Sequence, residues 1–237
     1  MKNDSKSGEK FNLLEGNVWP HESDLPNFQE DVVDYYKQCL ELSDKMMRLI
    51  AISFDLDEFY FRPFFNGTIS TLRFLHYPKR NDGEKVDDLM GISLSCAEHT
   101  DSGIVTLLVQ DKTGGLEVQN SSGNWIPAPY VPESFVVNLG DLMSRWTNGA
   151  FVATYHRVKA VKEKRFSIPF FFEPNLGAVI EPLKVCANGN PKYDAVSYGD
   201  FVKSKMATWV EYQGEPKATF IFVQIIMYFY YLKCRWH

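Results

Sequence analysis

A chain of 237 residues is long enough for one domain with a sizeable core, and 45% apolar, 15% aromatic and 23% charged residues are typical of a soluble globular protein. The formal net charge of -5 gives no basic surface of the kind that binds phosphate backbones, so we expect no nucleic-acid partner. The four cysteines form no CxxC pair, and the charged N-terminus has no apolar run behind it. We therefore expect no thiolate zinc site, no disulfide scaffold and no secretory signal, and we predict a cytoplasmic protein.

The first predicted element is a long amphipathic helix. Apolar residues recur at helical spacing over about residues 28–54, which predicts a helix there with one face packed on a larger structure. Asn27, with Glu30 three residues later, predicts an N-cap and its reciprocal partner. Residues 55–66 predict a short helix and an aromatic-rich connection. Residues 1–70 are thus predicted to form an N-terminal helical segment.

From residue 71 the pattern changes to short runs rich in β-branched and aromatic residues between turn signals. Eight such runs within 71–182 predict a double-stranded β-helix, or jelly roll, with the long helix packed on its outer side. The segments QNSSGNW (119–125) and NGA (148–150) predict hairpin turns. The predicted fold class is therefore mainly β with flanking helices. The eight predicted strands are TLRFLHY, ISLSCAE, GIVTLLVQD, GLEVQN, WIPAPY, SFVVNLGD, ATYHRVKAV and KRFSIPFFFEP.

The chain beyond the predicted jelly roll divides into two parts. Within 183–213, the sequence YGDFVKSKMATWVEY predicts a closing helix. The segment 214–237 is an atypical apolar tail, in which the run 218–232 is shorter than the about 20 residues of a membrane-spanning helix. We expect no stable membrane insertion and a tail that packs on the surface or stays loose; a tail anchor is the alternative interpretation.

The motif EHTD places His99 and Asp101 two residues apart at the end of a predicted strand. In an extended chain the two side chains lie on one face, so an imidazole and a carboxylate can reach the same ion. A His-x-Asp triplet often arises by chance, and the motif alone is weak evidence for a metal site. His156 in ATYHRV is the next candidate ligand, although a histidine in a strand is more often a hydrogen-bonded core or edge residue.

A predicted strand that follows His156 carries Arg165 and Ser167 on one face. A guanidinium with a hydroxyl beside it is well shaped to hold a carboxylate. The alternative is an ordinary surface ion pair between Arg165 and either Glu163 or Glu173.

The order His-x-Asp, distal His, Arg-x-Ser within a jelly roll resembles the 2-oxoglutarate- and Fe(II)-dependent oxygenases, more narrowly the branch with isopenicillin N synthase and the plant flavonoid and gibberellin oxygenases. The resemblance covers about residues 17–212. It rests on the ordered fragments NVWP, LPNF, LRFLHYP, HTDSGIVTLLVQD, GGLEVQNSSGNWIPAPYVPESFVVNLGD, TNG, HRV and KRFSIPFFFEP. Members of this branch usually have a longer N-terminal region ahead of the NVWP segment, so the segment 1–70 is incomplete relative to the family.

The resemblance assigns roles to individual residues. It implies that iron is bound by His99, Asp101 and His156, the residues that carry the catalysis. It implies that 2-oxoglutarate is bound by Arg165 and Ser167 together with Tyr77 of LHYP, for which a plain core tyrosine is the alternative. Where the family often has Asn, this chain has Leu75, which leaves the set of cosubstrate contacts open.

The function that the resemblance implies is oxidation of a small organic molecule. The expected reaction is hydroxylation or desaturation with Fe(II), 2-oxoglutarate and O2, releasing succinate and CO2, and ascorbate is a further candidate cofactor. Two alternatives stay open: an iron-dependent oxidase that does not use 2-oxoglutarate, as in isopenicillin N synthase, and an inactive binding or regulatory remnant. The sequence specifies neither the substrate nor the oligomeric state.

Overall fold

The computed structural model describes residues 16–79 and 94–206, and the backbone of residues 223–226. Its first element is helix α1 (Phe28–Ser53), close to the predicted bounds. Buried residues recur along one face of this helix at three- and four-residue intervals, as an amphipathic helix on a core requires. They are Val32, Tyr36, Cys39, Ser43, Met47 and Ala51.

The predicted capping arrangement at the start of α1 is wrong. Asn27 has a left-handed backbone, with φ of 60°, and its side chain makes no capping hydrogen bond. Instead, its backbone N–H donates to the Glu22 carboxylate at 2.9 Å, so the acidic partner precedes the helix rather than following at Glu30. A hydrogen-bonded turn from His21 to Leu25 precedes the helix and brings Glu22 within reach of the Asn27 N–H.

All eight predicted strands are present, most of them with shortened ends, and three short strands follow them. The strands are β1 (Thr71–Tyr77), β2 (Leu94–His99), β3 (Val105–Gln110), β4 (Leu116–Gln119), β5 (Trp125–Pro127), β6 (Val136–Leu139), β7 (His156–Lys159), β8 (Arg165–Phe172), β9 (Val179–Ile180), β10 (Val196–Ser197) and β11 (Val223–Ile226).

The strands form two main layers. A five-stranded sheet has the order β11-β1-β8-β3-β6, and a four-stranded sheet has the order β2-β7-β4-β5, which is the predicted jelly-roll architecture. We call the two layers the large sheet and the small sheet.

Helix α1 covers the outer face of the large sheet. The ring of Tyr36 packs edge-on against Phe170 of β8, with centroids 5.2 Å apart, and its hydroxyl donates to the Ser70 carbonyl at 2.8 Å. Because side chains alternate along a strand, the even-numbered residues of β8, such as Phe170, face the helix, and the odd-numbered residues face the small sheet. This confirms the prediction that the apolar strand IPFFFEP is covered on its outer side.

The aromatic connection after α1 contains a 3-10 helix, Arg62–Phe65, and fills the core. Phe61 and Phe64 meet the buried ring of Trp146 at centroid distances of 4.7 and 4.8 Å, both edge-on. Trp146 lies in helix α2 (Asp141–Trp146), which the sequence analysis did not predict.

One predicted turn is confirmed and the other is wrong. Residues 120–124 form the turn between β4 and β5: the Asn120 N–H donates to the Asn124 carbonyl, and the Asn124 N–H donates to the Asn120 side-chain oxygen, both at 2.9 Å. The NGA segment instead ends helix α2: Asn148 and Gly149 both have positive φ, and their N–H groups donate back to Arg145 and Ser144. Left-handed residues after a helix satisfy its last carbonyls, and the same composition serves a hairpin turn equally well.

The C-terminal part contains α3 (Lys184–Ala187) and α4 (Tyr198–Met206), with the two-stranded pairing of β9 and β10 between the jelly roll and α4. The predicted closing helix begins as expected, and its remainder lies outside the described residues. Strand β11 pairs antiparallel with β1 at the edge of the large sheet. None of the helices that the structure describes is long and apolar enough to cross a membrane.

Candidate active site

Two histidines on neighbouring strands of the small sheet lie opposite each other. His99 is the last residue of β2, His156 is the first residue of β7 rather than its middle, and the two are register partners. A register shift in β2 just before His99 turns its ring toward His156, with ring centroids 4.2 Å apart. Asp101 follows two residues after the end of β2. We call these three residues the His–Asp–His cluster.

The geometry of the cluster fits a single divalent ion. The Oδ1 atom of Asp101 lies 3.8 Å from Nε2 of His99 and 3.6 Å from Nε2 of His156, and the three ligand atoms all lie within 4.8 Å of one another. Ligands bonded to one ion at about 2 Å must lie within roughly 4 Å of one another. The His99 side chain is 43% exposed, so the cluster is open to solvent on the side of His99.

Backbone carbonyls fix the orientation of both imidazoles. Nδ1 of His99 lies 2.8 Å from the Ala97 carbonyl, and Nδ1 of His156 lies 3.1 Å from the Thr154 carbonyl. A carbonyl can only accept, so each Nδ1 carries the proton and each Nε2 presents a lone pair to the cluster centre.

The Asp101 carboxylate is held by its second oxygen. Oδ2 accepts hydrogen bonds from Thr106 Oγ1 at 2.6 Å and Asn138 Nδ2 at 2.7 Å, which leaves Oδ1 directed at the two histidines. Thr106 and Asn138 belong to β3 and β6 of the large sheet. Neither residue was among the predicted site residues, although a polar residue within the apolar runs VTLLV and VVNL was a usable signal.

Burial and the neighbouring groups shift the pKa of His99 in opposite directions. Burial lowers the pKa of this imidazole, but hydrogen bonding and charge from the Cys96 thiol, with Sγ 3.9 Å from Nδ1, raise it by more. The net pKa of His99 lies above its ordinary value. Cys96 is one of three free cysteines among the described residues.

A second buried carboxyl, Glu173, lies behind Asp101. Burial raises the pKa of Glu173 to about 7; the adjacent Tyr198 hydroxyl and the Arg73 charge oppose this shift, while the charge of Asp101 adds to it. Tyr198 is the first residue of α4, so the C-terminal helix contributes to the surroundings of this carboxyl. The sequence analysis assigned Glu173 no role except as an alternative partner of Arg165.

Arg165 and Ser167 face the interior from β8, as predicted. The Nη1 group of Arg165 donates to Ser167 Oγ at 3.0 Å, and its Nε donates to the Gly114 carbonyl at 2.7 Å. Tyr77 of β1 is the register partner of Arg165, and the guanidinium lies 4.9 Å from the centre of its ring. Gln110 of β3, which the sequence analysis did not single out, lies opposite Ser167. We call Tyr77, Arg165 and Ser167 the arginine cluster.

The Arg165 guanidinium is buried and forms no salt bridge with a carboxylate of the described residues, although the charge of Asp111 acts on it. Arg165 is 1% exposed, and within residues 16–79 and 94–206 it forms no ion pair; Glu163 pairs with Lys79 instead. The predicted alternative of a surface ion pair is therefore wrong. Burial lowers the pKa of Arg165, and it raises the pKa of Tyr77. A buried cation is costly without a counter-charge, so this cluster fits the carboxylate of a bound anion such as 2-oxoglutarate.

A jelly roll with two imidazoles and one carboxylate converging between its sheets is the architecture of a mononuclear non-heme iron oxygenase. The model of the 2OG-Fe(II) oxygenase superfamily matches residues 68–174. The chain belongs to this superfamily, whose cofactors are Fe(II) and 2-oxoglutarate.

Named relatives agree with this assignment. The chain is 37% identical over 195 residues to the 2-oxoglutarate-Fe(II) type oxidoreductase hxnY of Emericella nidulans, covering 79% of this chain and 54% of that protein. It is 34% identical over 218 residues to a homoarginine-6-hydroxylase of Glycine max, covering 85% and 62%. The crystal structure of a full-length Neurospora crassa protein in complex with alpha-KG and thymine matches with a TM-score of 0.73 and 35% identity, covering 81% of this chain and 60% of that one.

The chain spans about half to three fifths of the length of these relatives. Residues 68–174, which the family model matches, contain strands β1 to β8 and both clusters.

Proposed function

We propose that this protein is an Fe(II)- and 2-oxoglutarate-dependent oxygenase that hydroxylates or desaturates a small organic molecule. The observation that carries the proposal is the convergence of two Nε2 atoms and one carboxylate oxygen in the His–Asp–His cluster. His99, Asp101 and His156 would hold iron, and the arginine cluster would hold the distal carboxylate of 2-oxoglutarate.

The bound iron and 2-oxoglutarate would together supply the oxidising chemistry, with O2 reduced and 2-oxoglutarate converted to succinate and CO2. The chain itself contributes preorganisation. The Ala97 and Thr154 carbonyls keep the imidazoles in the ligating tautomer, and Thr106 and Asn138 aim one Asp101 oxygen. These groups need little rearrangement when the ion binds, because their partners are already in place.

The arginine cluster favours the use of 2-oxoglutarate over the oxidase alternative. Arg165 is buried and is well placed to pair with a ligand carboxylate, and the similar Neurospora crassa protein was crystallised in complex with alpha-KG. Tyr77 and Ser167 add a ring and a hydroxyl beside the guanidinium, and so restrict where a carboxylate can lie.

Anaerobic addition of Fe(II) and then 2-oxoglutarate to the full chain tests the proposal. We expect a weak visible absorption band from the iron chelate, and substrate-dependent succinate release once O2 is admitted. The Asp101→Ala variant should lose both, whereas Glu98→Ala, an exposed acid on β2, should keep them. Folded protein that binds no Fe(II) would contradict the proposal, and substrate oxidation without succinate would support the oxidase.

The proposal includes the cellular and domain context. We propose a cytoplasmic enzyme with a small-molecule substrate, supported by the free thiols of Cys39, Cys96 and Cys186. We also propose that 71–182 is the catalytic core, flanked by the helical segment 1–70, the helix region 183–213 and the tail 214–237.

A further inference from the structure

Cys96 of β2 faces the interior between the two sheets. It is the register partner of Val158 on β7, and partners in an antiparallel pair lie on the same face. Val158 is two residues from His156, so these two side chains share the inner face of the small sheet. The register shift between Cys96 and His99 turns both of them to this face although they are three residues apart. The Sγ atom of Cys96 therefore lies 3.9 Å from Nδ1 of His99.

The large sheet supplies the opposite wall of this interior. Leu75 of β1 is the register partner of Ser167 on β8, so it lies on the inner face beside the arginine cluster. Two residues further along β1, Tyr77 is the partner of Arg165. This wall thus has a cationic end at Arg165 and an apolar surface at Leu75.

Electrostatic interactions place Cys96 close to the arginine cluster. Burial lowers the pKa of Arg165, and the charges of Tyr77, Asp111 and Cys96 oppose this shift. Burial raises the pKa of Tyr77, and the charge of Cys96 adds to that shift. Because interactions between charges weaken with distance, Cys96 lies near both clusters, with His99 on one side and Arg165 on the other.

The Cys96 thiol is free and partly exposed. A reduced cysteine behaves as a small apolar side chain and so suits contact with a hydrocarbon chain. A keto acid held by the His–Asp–His cluster at one end and by Arg165 at the other has its carbon chain between Cys96 and Leu75. Neither side chain offers a strong hydrogen-bonding group, which matches the two methylene groups of 2-oxoglutarate.

We propose that Cys96 is a wall of the 2-oxoglutarate site and a modification site, where a group attached to the thiol excludes the cosubstrate. The inference rests on the proposed oxygenase function and adds a residue to that same site. The carbon chain of 2-oxoglutarate packs against the sulfur, so the cosubstrate and an attached group compete for one space. Iron binding persists after the modification, because Cys96 adjoins Nδ1 of His99 and not the ligating Nε2.

Anaerobic alkylation of the full chain by iodoacetamide tests the proposal. The thiol loses its proton to solvent, its sulfur bonds to the methylene carbon of the reagent, and iodide leaves. Mass spectrometry of peptides measures the rate at Cys96, with the free Cys186 of α3 as the reference on the same molecules. With iron saturating and 2-oxoglutarate at about one hundred times its Kd, about one molecule in a hundred lacks the ligand, so alkylation of Cys96 should slow about hundredfold. The rate at Cys186 should not change.

The reciprocal measurement uses protein alkylated at Cys96 in the absence of ligands. It should bind Fe(II) as the unmodified protein does and should lose 2-oxoglutarate binding. The control is protein alkylated while 2-oxoglutarate protects Cys96 and then freed of the ligand, because it carries only the other adducts.

A matched pair of variants measures the same contact without a reagent. Cys96→Leu adds atoms to a packed site and should weaken 2-oxoglutarate binding about fivefold to hundredfold, with Fe(II) affinity kept. Cys186→Leu makes the same change in α3 and should bind both ligands as the wild type does.

Four results would overturn the proposal, and one of them also contradicts the oxygenase function. Wild-type protein that binds neither Fe(II) nor 2-oxoglutarate contradicts both. If it binds both ligands, the proposal alone fails when 2-oxoglutarate does not slow alkylation of Cys96, or when Fe(II) without 2-oxoglutarate slows it equally. It fails also when the Cys96 adduct binds 2-oxoglutarate with wild-type affinity.

Discussion

The His–Asp–His cluster and the arginine cluster are built in different ways. The histidines come from the small sheet, while the groups that orient Asp101 come from the large sheet, so the first cluster depends on how the two layers meet. The arginine cluster lies on adjacent strands of the large sheet alone and depends on their register. A change in how the two layers pack can therefore disrupt the metal site and leave the anion site intact. A change in the register of β1 and β8 can disrupt the anion site and leave the metal site intact.

The largest expected effect comes from breaking the arginine cluster with Arg165→Ala. Loss of one partner of a buried, hydrogen-bonded charge pair costs about 2–5 kcal/mol, so 2-oxoglutarate affinity should fall at least about thirtyfold. Iron affinity should change little, because Arg165 donates its hydrogen bonds to Gly114, Ser167 and Gln110 and to none of the three metal-site residues. Parallel Fe(II) and 2-oxoglutarate titrations measure the two affinities, with Lys164→Ala, an exposed neighbour, as the control. Equal losses of both ligands would contradict the independence of the clusters.

The next largest effect concerns the buried Glu173 carboxyl behind the His–Asp–His cluster. Its folded pKa of about 7 lies above the ordinary 4.5, so the folded state binds this proton more tightly than the unfolded state. Stability should therefore fall as pH rises from about 4.5 to 7 and stay lowered above that range, by on the order of 3 kcal/mol. Glu173→Gln should remove this part of the pH dependence of stability.

Urea unfolding at pH 5 and pH 7.5 measures the difference between wild type and Glu173→Gln. Glu181→Gln is the matched control, because Glu181 is an exposed acid. Identical pH dependence in wild type and Glu173→Gln would show that burial does not hold the Glu173 proton.

The smallest of the three expected effects concerns the hydrogen bonds that orient Asp101. Asn138→Ala removes one of the two donors to Asp101 Oδ2 and should lower iron affinity about tenfold to hundredfold, because the carboxylate is then less well oriented. Its effect on 2-oxoglutarate binding, measured with iron saturating, should be small. Asn124→Ala, in the exposed turn between β4 and β5, is the control. Unchanged Fe(II) affinity in Asn138→Ala would mean that Thr106 alone suffices to orient Asp101.

Much of the molecule is encoded in local patterns of the sequence. Short runs of β-branched and aromatic residues between turn signals marked all eight jelly-roll strands, and the helical period marked α1 to within a residue of its end. The spacing of His99 and Asp101, and of Arg165 and Ser167, was enough to predict which side chains share a face. These properties follow from backbone geometry over a few residues.

Local patterns failed where two conformations use the same residues. Asn148 and Gly149 suit both a hairpin turn and a helix end, and the burial of Trp146 against Phe61 and Phe64 decided for helix α2. Asn27 likewise has the composition of a cap, but the preceding turn and Glu22 set its backbone instead.

By itself, the sequence determined the order and identity of the candidate ligands and the strands that carry them. The tertiary structure alone decided that Oδ1 of Asp101 is directed at the two histidines and that Arg165 is buried with no salt bridge among the described residues. The physical reason is that alternation and spacing act within one strand, whereas hydrogen bonds from Thr106 and Asn138 depend on the register of distant segments. Register is fixed only when all the strands pack together.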